Sequence, residues 1–202
     1  MAGPTQGFRL VAVGVSAGGL LALRTLVSGL PADFDIPVAV VQHRSRDSEL
    51  LCDLLQECSR LEVAEASDKE AIVPGRVYVA APDYHLLVEP GYFSLSTDEP
   101  VRFSRPSIDV MFSSAADAYA LDVIGVVLTG ANSDGARGLR KIVDRGGHAI
   151  VQDPATAEVR VMPQAALKAV PEACVLPMEE IAPYLAGIRG RRMPPCLHKG
   201  AA

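Results

Sequence analysis

The stretch 8-FRLVAVGVSAGGL-20 joins a nearly unbroken, Val-rich apolar run to a glycine-flanked turn and a helix start. Continuous apolar runs of this kind mark parallel strands covered on both faces, whereas half-exposed strands alternate. Beyond the turn, Leu20, Leu23, Val27 and Leu30 recur at helical spacing until Gly29 and Pro31 stop the pattern. Pro37 opens a second β-branched run, VAVVQ, that ends at His43. Asp47 and Ser48 can cap a helix striped by Leu50, Leu51, Leu54, Leu55 and Cys58. Strands LEVAEA and RVYVA follow, and HLLVE and YFSLS flank Pro90-Gly91 as a β-hairpin. SRPS at 104–107 leads into a helix with Ile108, Met111, Phe112, Ala115, Ala116 and Tyr119 on one side. VIGVVL at 123–128 is the strongest strand signal, followed by a helix carrying Leu139, Ile142 and Val143. HAIVQ, a helix near 164–169, ACVL and a helix near 179–188 complete the alternation. Apolar strands alternating with amphipathic helices over short connections predict an α/β fold: one doubly wound, mostly parallel sheet with helices on both faces and the hairpin as an appendage.

Composition narrows the function. The chain has 202 residues, 49% of them hydrophobic and 21% charged, with 19 Lys plus Arg against 24 Asp plus Glu for a net charge of −5. An acidic balance without a basic block gives no footprint for nucleic acid, and 5% aromatics with no Trp offer few stacking platforms. The apolar run Leu10–Leu23 is too short and too rich in glycine to insert in a membrane, and no small-x-small cleavage site follows it as in a signal peptide. Cys52, Cys58, Cys174 and Cys196 show neither CxxC nor ligand spacing; four scattered thiols point to a reducing cytosol, with neither a disulfide framework nor a zinc site. No metal constellation is visible and no cofactor is implied. Residues 1–190 read as one catalytic domain, and 191–202 as a loose, basic, proline-marked tail.

In doubly wound sheets ligands bind beyond the carboxyl ends of the strands, so the residues after each strand matter most. After the first strand stands Gly14-Val15-Ser16-Ala17-Gly18, a G-x-S-x-G turn running into a helix. Small flanking residues permit a sharp turn, and a helix start offers free N–H groups to an oxyanion, which suits Ser16 as a nucleophile. The same glycines also suit a packing turn or a phosphate cradle. A dinucleotide site needs an acid at the end of the second strand, but Gln42-His43 stands there. His43 is then a candidate general base, against the plain alternative of a surface histidine. Asp134, in the loop 129-TGANSDGA-136, reads as a helix cap or as the carboxylate that orients His43. Asp109 reads as the cap of its own helix, and Asp153 is held in reserve for the acid role. The order Ser, His, Asp differs from that of the α/β-hydrolases.

Taken together, VGVSAGG (13–19), VVQHRS (40–45), PGRVYVAAPDYHLLV (74–88), SRPSIDVMFSSAA (104–116), GVVLTGANSDGARGL (125–139), GGHAIVQDPATA (146–157) and MPQAAL (162–167) resemble the catalytic domain of the CheB family of protein-glutamate methylesterases. The resemblance implies a Ser-His-Asp triad on Ser16, His43 and Asp134, with oxyanion and pocket contributions from Ala17, Gly18 and Ala131. It implies a cytoplasmic serine hydrolase of chemotaxis signal transduction that demethylates glutamate γ-methyl esters on the cytoplasmic helices of chemoreceptors and deamidates specific glutamines. Typical members have Thr at the Ala17 position, Met at the Ala131 position, and a phosphoreceiver domain before the first strand. No receiver is read here, which leaves three expectations open: a domain that stands alone, one that answers to a separate regulatory chain, or a piece trimmed from a longer protein. A nucleotide- or phosphate-binding module and an inactive receptor-docking relative are the alternatives.

Overall fold

The computed structural model describes residues 7–43, 50–188 and 192–196. In chain order the elements begin β1 (Leu10–Val15), α1 (Gly19–Gly29), β2 (Val38–Gln42), α2 (Leu51–Gln56), β3 (Glu62–Glu65), β4 (Arg76–Val79), β5 (His85–Glu89) and β6 (Tyr92–Ser96). They continue as α3 (Ile108–Tyr119), β7 (Val123–Val127), α4 (Ala136–Asp144), β8 (His148–Gln152), α5 (Val161–Ala169), β9 (Cys174–Leu176) and α6 (Met178–Ala186). The residues expected to cap α2, Asp47 and Ser48, lie outside the described residues.

Seven strands form one sheet in the order β3-β4-β2-β1-β7-β8-β9, every neighbouring pair parallel, while β5 and β6 pair antiparallel by themselves. The chain winds outward from β1 through β2, then crosses back to β7 on the other side of β1. That reversal opens a crevice above the carboxyl ends of β1 and β7, where such sheets bind ligands.

Both faces of β1 are buried, which explains its unbroken apolar run. Val11, Val13 and Val15 pack with Leu23, Leu26 and Val27 of α1, Leu55 of α2 and Ile181 and Leu185 of α6. Leu10 and Ala12 face the opposite core, which holds Ile108, Met111 and Phe112 of α3, Leu139 and Ile142 of α4 and Met162 and Ala166 of α5. The hairpin, a two-stranded sheet apart from the main one, adds its own apolar side chains to this second core. Leu86 and Phe93 are fully buried, Phe93 meets the Tyr78 ring edge-on at 4.9 Å, and Ser114 Oγ of α3 accepts the Val88 N–H at 3.0 Å.

The cysteine reading needs correction. Cys174 on β9 and Cys196 form a disulfide, with Cα atoms 5.8 Å apart, while Cys52 and Cys58 take no part in one. Residues 192–196, part of the stretch expected to be loose, are therefore tied down. Met193 and Cys196 pack on the first core, and Tyr184 Oη donates to the Pro194 carbonyl at 2.8 Å. The pairing has no spacing motif because it depends on α6 returning the chain to the sheet edge. Among the described residues no helix is long and apolar enough to cross a membrane.

One glycine sets how closely α3 approaches β1. A Cβ on Gly14 would lie 2.3 Å from Ile108 Cγ2, in a fully buried, β-branched side chain at the first turn of α3. Overpacking of this kind costs about 1–3 kcal/mol. Gly14→Ala is expected to lower the unfolding free energy by that amount, read as a lower urea midpoint at an unchanged denaturant slope.

Candidate active site

The parallel register that pairs Val15 with Gln42 brings Ser16 and His43 out side by side at the ends of β1 and β2. The His43 N–H donates to the Val15 carbonyl at 3.1 Å. From beyond β7, Asp134 reaches the same rim, and its Oδ2 lies 2.8 Å from His43 Nε2. Sequence reading expected these three residues to converge. The structure brings His43 and Asp134 into contact and sets Ser16 beside them, with no hydrogen bond between Ser16 Oγ and His43.

Asp134 is 1% exposed and surrounded by donors. Oδ1 accepts from Ser107 Oγ and from the backbone N–H groups of Asp109 and Gly135, each at 3.0 Å. Oδ2 accepts the Ile108 N–H at 2.7 Å in addition to His43. Two of these N–H groups belong to the first turn of α3, where the free donors and the positive end of the helix dipole favour an anion. Burial by itself would push the Asp134 carboxyl up. The His43 hydrogen bond and the N–H groups of Asp109 and Ile108 outweigh it, so the carboxyl sits below its ordinary value of 3.8. An ionised carboxylate only accepts, so His43 carries a proton on Nε2, and in the neutral ring the lone pair lies on Nδ1.

The expected helix-cap roles are redistributed. Ser107, not Asp109, caps α3: its side chain accepts the Val110 N–H at 3.4 Å. Asp109 instead accepts the Gly138 N–H at 2.8 Å and Arg137 Nε at 3.1 Å, locking α3 to the first turn of α4. Asp153, the reserve acid, accepts the N–H of Ala155 at 2.8 Å and so shapes its own turn. His85, read as a strand opener, is 2% exposed and works behind the site: its Nδ1 accepts the Ser107 N–H at 3.2 Å.

The Ser16 turn is held by Thr129, to which sequence reading assigned no role. Its carbonyl accepts the Ser16 N–H at 3.0 Å, and its Oγ1 donates to the Ala17 carbonyl at 2.9 Å and accepts the Val159 N–H at 2.9 Å. Gly18 has φ +75°, a left-handed conformation that glycine adopts without Cβ strain, and starts α1. The Ala17 and Ala131 N–H groups donate to no other described residue, which leaves both available at the rim. An open groove of about 370 Å³ reaches Ser16, walled by Gly18, Gly19, Leu20, Leu21, Gln42 and Glu158. Asn132 also went unread: its Nδ2 lies 3.3 Å from His43 Nδ1, and its Oδ1 accepts the Asp134 N–H at 3.0 Å. Among the described residues no cluster of three His, Cys, Asp or Glu could hold a metal.

A hydroxyl on a glycine turn, an imidazole beside it and a buried carboxylate behind the imidazole, all at the switch point of a parallel sheet, define a hydrolase-type α/β site. Residues 11–185 match the family model described as CheB methylesterase. The chain is 48% identical over 177 residues to a Leptospira interrogans protein named "Putative protein-glutamate methylesterase/protein-glutamine glutaminase", covering 87% of this chain and 92% of that one. It is 40% identical over 188 residues to a Carboxydothermus hydrogenoformans protein-glutamate methylesterase/protein-glutamine glutaminase, covering 90% of this chain and 55% of that longer relative. The solved CheB methylesterase catalytic domain of Thermotoga maritima superposes with a TM-score of 0.85 at 33% identity, over 89% of this chain and 98% of that one. The chain belongs to the CheB methylesterase family.

The surroundings of Asp134 give a signed prediction. Its depressed pKa contributes stability that is complete above the unfolded value of 3.8 and lost as pH falls through the lower folded value. Asp134→Asn puts an NH₂ group among donors and removes charge-assisted bonds worth about 1.5–3 kcal/mol each. Urea unfolding at neutral pH is expected to show a loss of at least about 2 kcal/mol. The gap to wild type narrows only once pH drops below 3.8.

Proposed function

We propose that this protein is a serine hydrolase that removes methyl groups from glutamate γ-methyl esters on the cytoplasmic signalling helices of chemoreceptors, and that it also deamidates selected glutamines there. The observation that carries the reading is the 2.8 Å pairing of His43 with a buried Asp134 beside the Ser16 turn, in a chain of this family. Ser16, His43 and Asp134 are assigned the roles of nucleophile, general base and orienting acid.

Ser16 Oγ attacks the ester carbonyl as its proton passes to His43 Nδ1. Asp134 stabilises the imidazolium through Nε2. The Ala17 and Ala131 N–H groups hold the oxyanion, with Gly18 keeping the helix start open to it; each such donor is worth about 3 kcal/mol of barrier. His43 returns the proton to the departing methoxide, or to the amine in deamidation. A water activated by His43 then hydrolyses the acyl-enzyme and frees Ser16. No cofactor enters any step.

A substrate on cytoplasmic helices puts the enzyme in the cytoplasm. Residues 1–190 are assigned to the catalytic domain. The measurement is methanol release from methylated receptor helices. Ser16→Ala and His43→Ala are each expected to lower kcat on the order of 10⁶-fold, and near-normal turnover of Ser16→Ala would exclude the mechanism. Micromolar binding of a nucleotide without esterase activity would instead favour the phosphate-module reading. Intact receptor binding without methanol release would favour an inactive docking relative.

A further inference from the structure

Asn132 stands where the general base has to work. Its amide orientation is set by chemistry: the Asp134 N–H requires an acceptor, so Oδ1 faces it at 3.0 Å and the Nδ2 donor faces His43 at 3.3 Å. The imidazole is set from its other side, because the ionised Asp134 accepts the Nε2–H at 2.8 Å. The Nδ1 lone pair is then the group that faces the Asn132 amide. A ring nitrogen has one in-plane lone pair. It cannot be occupied by an amide N–H and receive the Ser16 proton together, and Ser16 Oγ makes no hydrogen bond to His43.

We propose that Asn132 is a positioning residue that holds His43 in its base-competent tautomer while occupying, in the free protein, the lone pair that Ser16 must use. This rests on the assignment of Ser16 and His43 as nucleophile and base. Once Nδ1 gains the Ser16 proton, its N–H would face a second N–H donor, so the amide has to swing aside for the proton transfer. The side chain is half-buried and its two hydrogen bonds to described residues are replaceable by water. The neighbouring Ser133 is pinned by Arg102 Nη1 at 2.7 Å, and Asp134 by its five donors, which confines the swing to the Asn132 side chain. Asn132 adjoins Ala131, so an ester carbonyl settling on the Ala131 N–H arrives next to the amide it must displace. The nucleophile is thereby engaged when substrate is present and disengaged when it is not.

The test uses the whole chain and a small fluorophosphonate, which forms a P–O bond to Ser16 Oγ, expels fluoride and leaves the hydroxyl proton on His43. Asn132→Ala removes the competing donor and is expected to label roughly 2- to 10-fold faster than wild type, the worth of one net hydrogen bond. Asn132→Asp presents an acceptor that favours a proton on both ring nitrogens, and is expected to label more slowly than wild type. A residue that only supports the fold would slow labelling in both variants, and that result overturns the proposal. NMR of the imidazole nitrogens supplies a second readout that needs no reaction. His43 in wild type is expected as the Nε2–H tautomer with a hydrogen-bonded Nδ1, which moves toward the free lone-pair position in Asn132→Ala. An Nδ1–H tautomer in wild type, or an Nδ1 signal indifferent to Asn132→Ala, overturns the proposal as well. Failure of wild type to label at Ser16 would strike the hydrolase reading instead, while the NMR shifts still judge the Asn132 contact.

Discussion

The Asp134 carboxylate is the interaction on which the site depends. A charge this deeply buried survives only when its lone pairs are filled by donors, and five converge on it: a hydroxyl, three backbone N–H groups and an imidazole. Two of the N–H groups open α3, so a helix on one face of the sheet fixes the carboxylate that orients a histidine at the end of β2. Gly14 lets α3 come close enough to do this, and the Asp109 contact with the start of α4 locks the two helix N-termini together. Packing, capping and orientation of the imidazole are thus one arrangement seen at three scales.

Behind the rim, the buried polar side chains form a connected support. His85, Ser107, Asp109, Thr129, Asp134 and Gln152 are all under 5% exposed, and each makes a hydrogen bond within this end of the sheet. Gln152 accepts the Thr129 N–H at 2.9 Å, and Thr129 in turn fixes the Ser16 and Ala17 backbone. Polar groups so placed hold Ser16 and His43 in position without occupying the crevice themselves.

Much of this architecture was legible in the residues. The strands of the sheet centre announced themselves because both their faces are covered, which leaves β1 and β7 no polar position to alternate with. Ser16 and His43 could be picked out because each follows such a strand. What stayed hidden were partnerships made through backbone N–H groups, which every residue has and no motif marks. Asp109 looked like the cap of its own helix, yet Ser107 already supplies that acceptor and frees Asp109 for α4. Asn132 carried no sign of its role, since its orientation follows from the Asp134 N–H and not from neighbours in the chain. Cys174 and Cys196 are brought together by α6, at a spacing no framework pattern encodes.

Ser16 is the member of the site whose hydroxyl forms no hydrogen bond to another described residue, whereas Asp134 anchors a helix. Substituting the hydroxyl leaves the scaffold's own bonds in place, while substituting the carboxylate unsettles α3. The alcohol is therefore dispensable to the scaffold, and the acid is not.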